Sequence, residues 1–181
     1  MRGLKFIKPK LKFVLLFPLL FTARKPCAAQ EIDYKTYSLF VYNFMKYIDW
    51  PPEIAAKNEF VVGIIGDSPI SKELQALAAT KKVKGKTIVL KKFTTVEECS
   101  GCQLLYVASG KSSMIKTIRE SLKTKPVLVV GEREGTAKKG AALSFVTLED
   151  DVLKFDINKA EIEQRQLKIS SSLITLGIVI G

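Results

Sequence analysis

The chain is 181 residues long and carries 29 Lys+Arg against 18 Asp+Glu, a formal charge of +11, with three cysteines and no histidine. Without an imidazole there is no Ser-His-Asp triad, no Cys-His dyad and no His-ligated zinc, and three cysteines cannot fill a four-cysteine zinc site. Seven of the basic residues and none of the acidic ones lie in residues 1–29, so the remainder holds 22 bases against 18 acids, a net of +4 that does not suggest a nucleic-acid partner.

The first element is a targeting signal. Arg2, Lys5, Lys8, Lys10 and Lys12 precede an apolar run from Phe13 to Phe21, and Cys27-Ala28-Ala29 closes the segment with small side chains. That order is a secretory signal peptide, cut after Ala29. The apolar run is shorter than the roughly 20 residues that span a bilayer, so no stable membrane insertion is expected after cleavage. Residues 30–181 then form a single α/β domain, and Cys99 and Cys102 are the only cysteines left.

Tyr37, Phe40, Val41, Phe44, Met45 and Ile48 recur at three and four residues, which predicts a helix of about four turns with one apolar face. Trp50-Pro51-Pro52 stops it, because proline has no N–H and disfavours helix in the residue before it. Phe60 to Gly66 is apolar on both faces and reads as a central, parallel strand. Asp67-Ser68-Pro69 turns the chain into a helix from Ile70 to Ala79, with Leu74, Leu77 and Ala78 inward. The basic run Lys81-Lys82-Val83-Lys84-Gly85-Lys86 reads as a solvated turn before a strand at Thr87 to Leu90.

The pattern repeats with a strand at Leu104 to Ala108, a helix capped by Ser112 or Ser113 and running to about Lys123, and a strand at Pro126 to Gly131. Leu143 to Leu148 and Val152 to Ile157 predict an antiparallel hairpin, and Asn158 caps a short helix to about Gln166. The expected fold is therefore α/β: a mixed sheet of about six strands, four mainly parallel plus the hairpin, with helices on both faces.

Ligands of open α/β sheets sit beyond the carboxyl ends of the strands, where Asp67, Ser68, Ser109 and Glu132 fall. A small-ligand crevice there is one reading; no metal set, catalytic set or cofactor fingerprint stands out. Cys99 and Cys102 raise a sharper question. In an oxidising compartment such a pair is first of all a structural or redox-sensing disulfide, with free thiols and a thiol-disulfide oxidoreductase as the other readings. Redox catalysts place the pair where a helix N-terminus lowers the thiol pKa. Here the pair follows the turn through Val96-Glu97-Glu98, and both acids disfavour a thiolate.

An ordered set of stretches carries a resemblance: Tyr47-Ile48-Asp49-Trp50-Pro51, Gly63-Ile64-Ile65-Gly66-Asp67-Ser68-Pro69, Cys102 opening a strand, Lys139-Gly140 before a hairpin, Phe155-Asp156-Ile157-Asn158, and Leu167-Lys168-Ile169-Ser170-Ser171 before an apolar end. Together they resemble the YfiR-like family of secreted bacterial regulators, over about residues 35–180. Ala141-Ala142-Leu143-Ser144 and Ser172 depart from the family pattern, and of the two cysteines only Cys102 matches it. The resemblance implies a periplasmic regulatory binding protein and not an enzyme. Its partner would be an inner-membrane sensor, a diguanylate cyclase or a histidine kinase, which it holds down, so that cyclic di-GMP output follows in the first case. It also implies a homodimer. The candidate partner contacts are Trp50, Pro51, Asp67, Pro69, Ile169 and Leu173.

Overall fold

The computed structural model describes residues 32–149 and 151–181. The expected signal peptide, its cut after Ala29 and Cys27 lie outside the described residues. Asp33 opens the first helix, α1 (Tyr34–Tyr47), by accepting hydrogen bonds from the Lys35 and Thr36 N–H groups at 3.1 and 3.2 Å. Ile48–Asp49 form a two-residue strand, β1, and Pro51 leads into a single helical turn, α2 (Pro52–Ala55). Next come β2 (Glu59–Ile65), α3 (Ile70–Thr80), β3 (Lys82–Val83) and β4 (Lys86–Phe93). A 3-10 turn over Glu97–Gly101 precedes β5 (Leu104–Val107), and a second over Ser109–Met114 runs into α4 (Ile115–Ser121). The chain continues through β6 (Leu128–Gly131), a 3-10 turn at Ala137–Lys139, β7 (Leu143–Thr147) and β8 (Leu153–Asn158). It ends with α5 (Lys159–Gln164), β9 (Lys168–Ile169), α6 (Ser171–Ile174) and β10 (Ile178–Ile180).

Eight strands form one sheet in the order β10-β8-β7-β6-β5-β2-β4-β3. β4, β2, β5, β6 and β7 run parallel, β8 returns antiparallel to β7, and β10 lies parallel to β8 at the edge. The sheet grows from β2 first to β4 on one side and then to β5 on the other, so the strand order reverses between β2 and β5. The four expected parallel strands and the hairpin are present. The hairpin does not stand apart: its first strand is a fifth parallel member, with Leu143 opposite Val130. β3 and β10 extend the sheet beyond the expected six strands, and β1 pairs antiparallel with β9, Ile48 opposite Ile169.

The central strands feed two cores by alternation. Phe60, Val62, Ile64, Leu104, Tyr106, Leu128 and Val130 point to the face covered by α1 and α3; Val61, Ile65, Leu105, Val107 and Val129 point to the face covered by α4. On α1 the predicted stripe is the buried one: Val41, Phe44 and Met45 are fully inaccessible, and Phe44 packs edge-on against Phe155 with ring centres 4.9 Å apart. Burying each such side chain contributes about 1.5–3 kcal/mol. Gly63, in the middle of β2, is required by close packing. A Cβ there would sit 2.2 Å from Phe93 Cε2, which lies across the strand on the α4 side.

Two local expectations change. The first turn before α4 is 3-10, and no serine hydroxyl caps it, so the α-helix starts at Ile115 rather than beside Ser112. The basic run at 81–86 does turn the chain between β3 and β4, but two of its lysines are committed. Lys84 Nζ donates to Ile48 O at 2.7 Å and pairs with Asp49; Lys86 Nζ donates to Ala55 O and, at 2.5 Å, to Lys57 O. Those carbonyls lie at the ends of α1 and α2, where positive charge is favoured.

Candidate functional site

The six expected contact residues do not form one surface. Trp50, Pro51 and Ile169 sit near the amino end of β2, around the β1–β9 pair. Asp67 and Pro69 lie beyond its carboxyl end, a seven-residue strand away, or about 20 Å. Trp50 is 9% exposed. Its indole stands edge-on to Phe60 with centroids 5.0 Å apart, and Nε1 donates to Gln103 O at 3.2 Å. Gln103 is held in turn by the Val61 N–H, which donates to its Oε1 at 2.6 Å. Leu173 is fully buried in the α1-side core. Trp50 and Leu173 are therefore packed into the domain, with little surface of their own to offer a partner. The cavity beside Trp50, about 100 Å³, is lined by Ile54, Phe60, Lys84 and Lys86, and both lysines already serve backbone carbonyls.

At the carboxyl ends of the strands, Glu132 is the organising group. It is 5% exposed and follows β6 directly. Its Oε1 accepts from Tyr34 Oη at 2.7 Å and its Oε2 from the Ser109 N–H at 3.0 Å. Burial, with Glu132 beside it, pushes the Tyr34 hydroxyl up to about 12. Glu132 and Ser109 thus meet, as their strand-end positions imply, but they hold the first turn of α1 onto the sheet. Asp67 is turned to solvent and pairs with Lys92 at 2.6 Å, which keeps its carboxyl below the usual carboxylate range. Sequence reasoning missed Tyr34, which lies in the first turn of α1, ahead of the Tyr37–Ile48 stripe that predicted the helix.

Both thiols are buried and free, so the bridge expected from their spacing is not formed in the structure. Cys99 Sγ donates to Thr95 O at 3.4 Å, and Cys102 Sγ to Cys99 O at 3.2 Å. Burial, with Glu98 and Glu97 adding to it, pushes the Cys99 thiol up to about 11; burial pushes Cys102 up to about 12. An attacking thiolate needs the opposite shift. The raised values have a consequence for stability. In the unfolded chain both thiols ionise near pH 8.5–9, while in the fold they stay protonated until about pH 11–12. The unfolded state therefore binds fewer protons over that window, and stability falls as pH rises through it. Urea midpoints measured under reducing conditions should be unaffected by these groups below pH 8 and should drop between pH 9 and 11. The Cys99→Ala/Cys102→Ala double variant should show a shallower drop; an equal slope would contradict the assignment.

The exposed apolar residues gather elsewhere. Leu176, Ile178 and Val179 are 48, 38 and 46% exposed, and Leu148 and Val152 flank the turn between β7 and β8. Among the described residues β10 pairs with β8 alone and ends the sheet. The opposite edge of the sheet is the two-residue β3, followed by lysines, whereas the three residues of β10 are all apolar. Leu39 on α1, 52% exposed, is a further exposed apolar side chain.

The family described as YfiR/HmsC-like (DUF4154) matches residues 34–178, from the first residue of α1 to the start of β10. The chain belongs to the YfiR/HmsC-like family. The match takes in every strand and helix just described, apart from the last two residues of β10. No curated protein matches the chain. Among solved structures, a conserved domain protein from Vibrio cholerae O1 biovar eltor is similar, with a TM-score of 0.56 and 12% identity over 81% of this chain and 60% of that one. The ABC domain from Streptococcus pneumonia, solved in complex with L-Trp, is similar at a TM-score of 0.52 and 16% identity, over 77% of this chain and 59% of that one. At such identities the likeness is one of fold, and the chain spans about three fifths of each solved chain.

Proposed function

We propose that this YfiR/HmsC-like chain is an exported regulatory binding protein. After removal of residues 1–29, the domain from 30 to 181 works in the periplasm. It binds the periplasmic part of an inner-membrane signalling protein, a diguanylate cyclase or a histidine kinase, and holds its output down without turnover of its own. Family membership supports the regulatory role. Among the described residues, no helix is long and apolar enough to cross a membrane, so the reading requires a membrane-anchored partner for any signal to reach the cytoplasm.

The observation that carries the reading is the apolar β10 edge, whose outer side no described strand pairs. Ile178 and Val179 present exposed apolar side chains on the last strand of the sheet, and Leu176 adds to the surface. Natural sheets protect such edges with charge, proline or a covering segment unless something docks there. A strand or apolar ridge of the partner would bury both the backbone edge and the side chains. Cross-linked capture from membranes of the native host tests this with the mature protein. A single membrane sensor should be retained by wild type and lost with Val179→Asp, while far-UV circular dichroism and Tm stay unchanged. Equal retention by Val179→Asp would remove β10 from the interface.

A further inference from the structure

Between α4, the Ala137–Lys139 turn and the start of α5 lies a polar cleft of about 580 Å³. Lys116 and Arg119 reach it from α4, Lys138 and Lys139 from the turn, and Asn158 and Glu161 from the end of β8 and from α5. We infer that this cleft is a binding site for a phosphate-class anion, either a free phosphomonoester or inorganic phosphate, or the headgroup of an anionic phospholipid.

The argument is one of uncompensated charge in a concave, oriented site. Four cations line the cleft against two carboxylates, Glu120 and Glu161. Glu161 is already shared: its Oε1 accepts from Arg119 Nε at 2.5 Å and its Oε2 from the fully buried Arg165 at 3.2 Å. Among the described residues, Lys116, Lys138 and Lys139 make no ion pair, and no residue accepts from the Nη groups of Arg119. Glu120 alone is left to offset three ammonium groups and the remainder of a guanidinium.

Arg119 is held in place rather than swinging freely. Gly140, at φ +111°, closes the 3-10 turn, and a Cβ on it would fall 2.3 Å from Arg119 Cδ. The bare glycine lets the arginine stem lie over the turn, beside Lys138 and Lys139, while Glu161 fixes Nε. Donors then converge from three separate segments. That suits an anion with several oxygens and two negative charges better than a single carboxylate: the guanidinium offers a planar fork and the lysines add point charges. The volume lies within the range of small-molecule sites.

Isothermal titration of the mature protein with inorganic phosphate at low salt reads the free-ligand arm. Co-sedimentation with phosphatidylcholine vesicles containing or lacking phosphatidylglycerol reads the lipid arm. Binding is expected in at least one arm and should weaken with salt. Lys116→Gln/Lys138→Gln/Lys139→Gln should lower the affinity by about tenfold or more, since it removes three positive charges that would donate charge-assisted hydrogen bonds to the anion. All three side chains are exposed, so the variant should keep its Tm. Lys138→Arg/Lys139→Arg should retain binding, and Lys72→Gln/Lys91→Gln, away from the cleft, should leave it unaltered. Absence of binding in both arms would overturn the inference. So would equal binding by the triple glutamine variant, or displacement by chloride at the concentrations at which phosphate binds.

Discussion

Glu161→Ala should destabilise the fold by about 3–5 kcal/mol, the usual cost of stranding one member of a buried ion pair. Arg165 is fully buried; its Nη2 donates to Glu161 Oε2 at 3.2 Å and its Nη1 to Val127 O at 3.3 Å, and among the described residues nothing accepts from its Nε. Burial pulls the guanidinium's pKa down and Glu161 pushes it back up, so removing the carboxylate leaves a cation in an apolar setting with one backbone carbonyl for company. Arg119, half exposed, would lose only a solvent-screened contact, and Arg119→Ala should cost about 1 kcal/mol or less. The decisive comparison is Glu161→Leu/Arg165→Met. Replacing both charges with apolar groups removes the desolvation cost along with the attraction, so the double variant should be more stable than Glu161→Ala. Guanidinium denaturation of the three proteins checks this; a Glu161→Ala change within about 1 kcal/mol of wild type would show that water reaches Arg165.

Trp50→Ala is expected to cost about 3–5 kcal/mol as well, through the cavity left in the corner between β1 and β2. The indole fills that corner against Phe60 and also donates to Gln103 O, so the variant loses packing and leaves that carbonyl with the Leu128 N–H alone, at 2.9 Å. At about 2–4 °C per kcal/mol for a domain of this size, Tm should fall by roughly 10 °C. Trp50→Phe keeps most of the volume and loses the N–H, so it should fall between the two. Because the chain has one tryptophan, its own fluorescence reports the site: native emission should be blue-shifted and move red on unfolding. An unchanged Tm in Trp50→Ala would return Trp50 to the candidate contact surface.

How much of this could be seen in the sequence depends on the length of each signal. α1 and the strands β2, β4, β5 and β6 were legible because periodicity or an unbroken apolar run persists over several residues. The cap at Asn158 was legible because one side chain does the work: its Oδ1 accepts from the Glu161 N–H at 3.2 Å. β1, β3, β9 and β10 are two or three residues long, too short for any period, and three of them pair with distant segments, as Ile48 does with Ile169. The tail shows the limit for contact residues. Leu173 and Leu176 are three apart in one apolar stretch, yet one is fully buried and the other 48% exposed. A single turn of helix, α6, carries no amphipathic pattern to tell them apart. Glu161 and Arg165 are spaced like a solvent-exposed pair on a helix, and only the sheet beneath α5 makes them a buried one. The basic cleft was invisible for another reason: its cations come from residues 116–119 and 138–139, which only the fold brings together.

The function proposed above makes this chain a regulator acting through the apolar β10 edge, and signalling output in the native host tests that proposal most directly. Cyclic di-GMP, or phosphorylation of the cognate response regulator if the partner is a kinase, would be measured in the gene deletion complemented with wild type or with Val179→Asp. The deletion should raise the output and wild type should restore it, while Val179→Asp, present at normal folded levels, should fail to restore it. An output unchanged by deletion, or full restoration by Val179→Asp, would contradict the account.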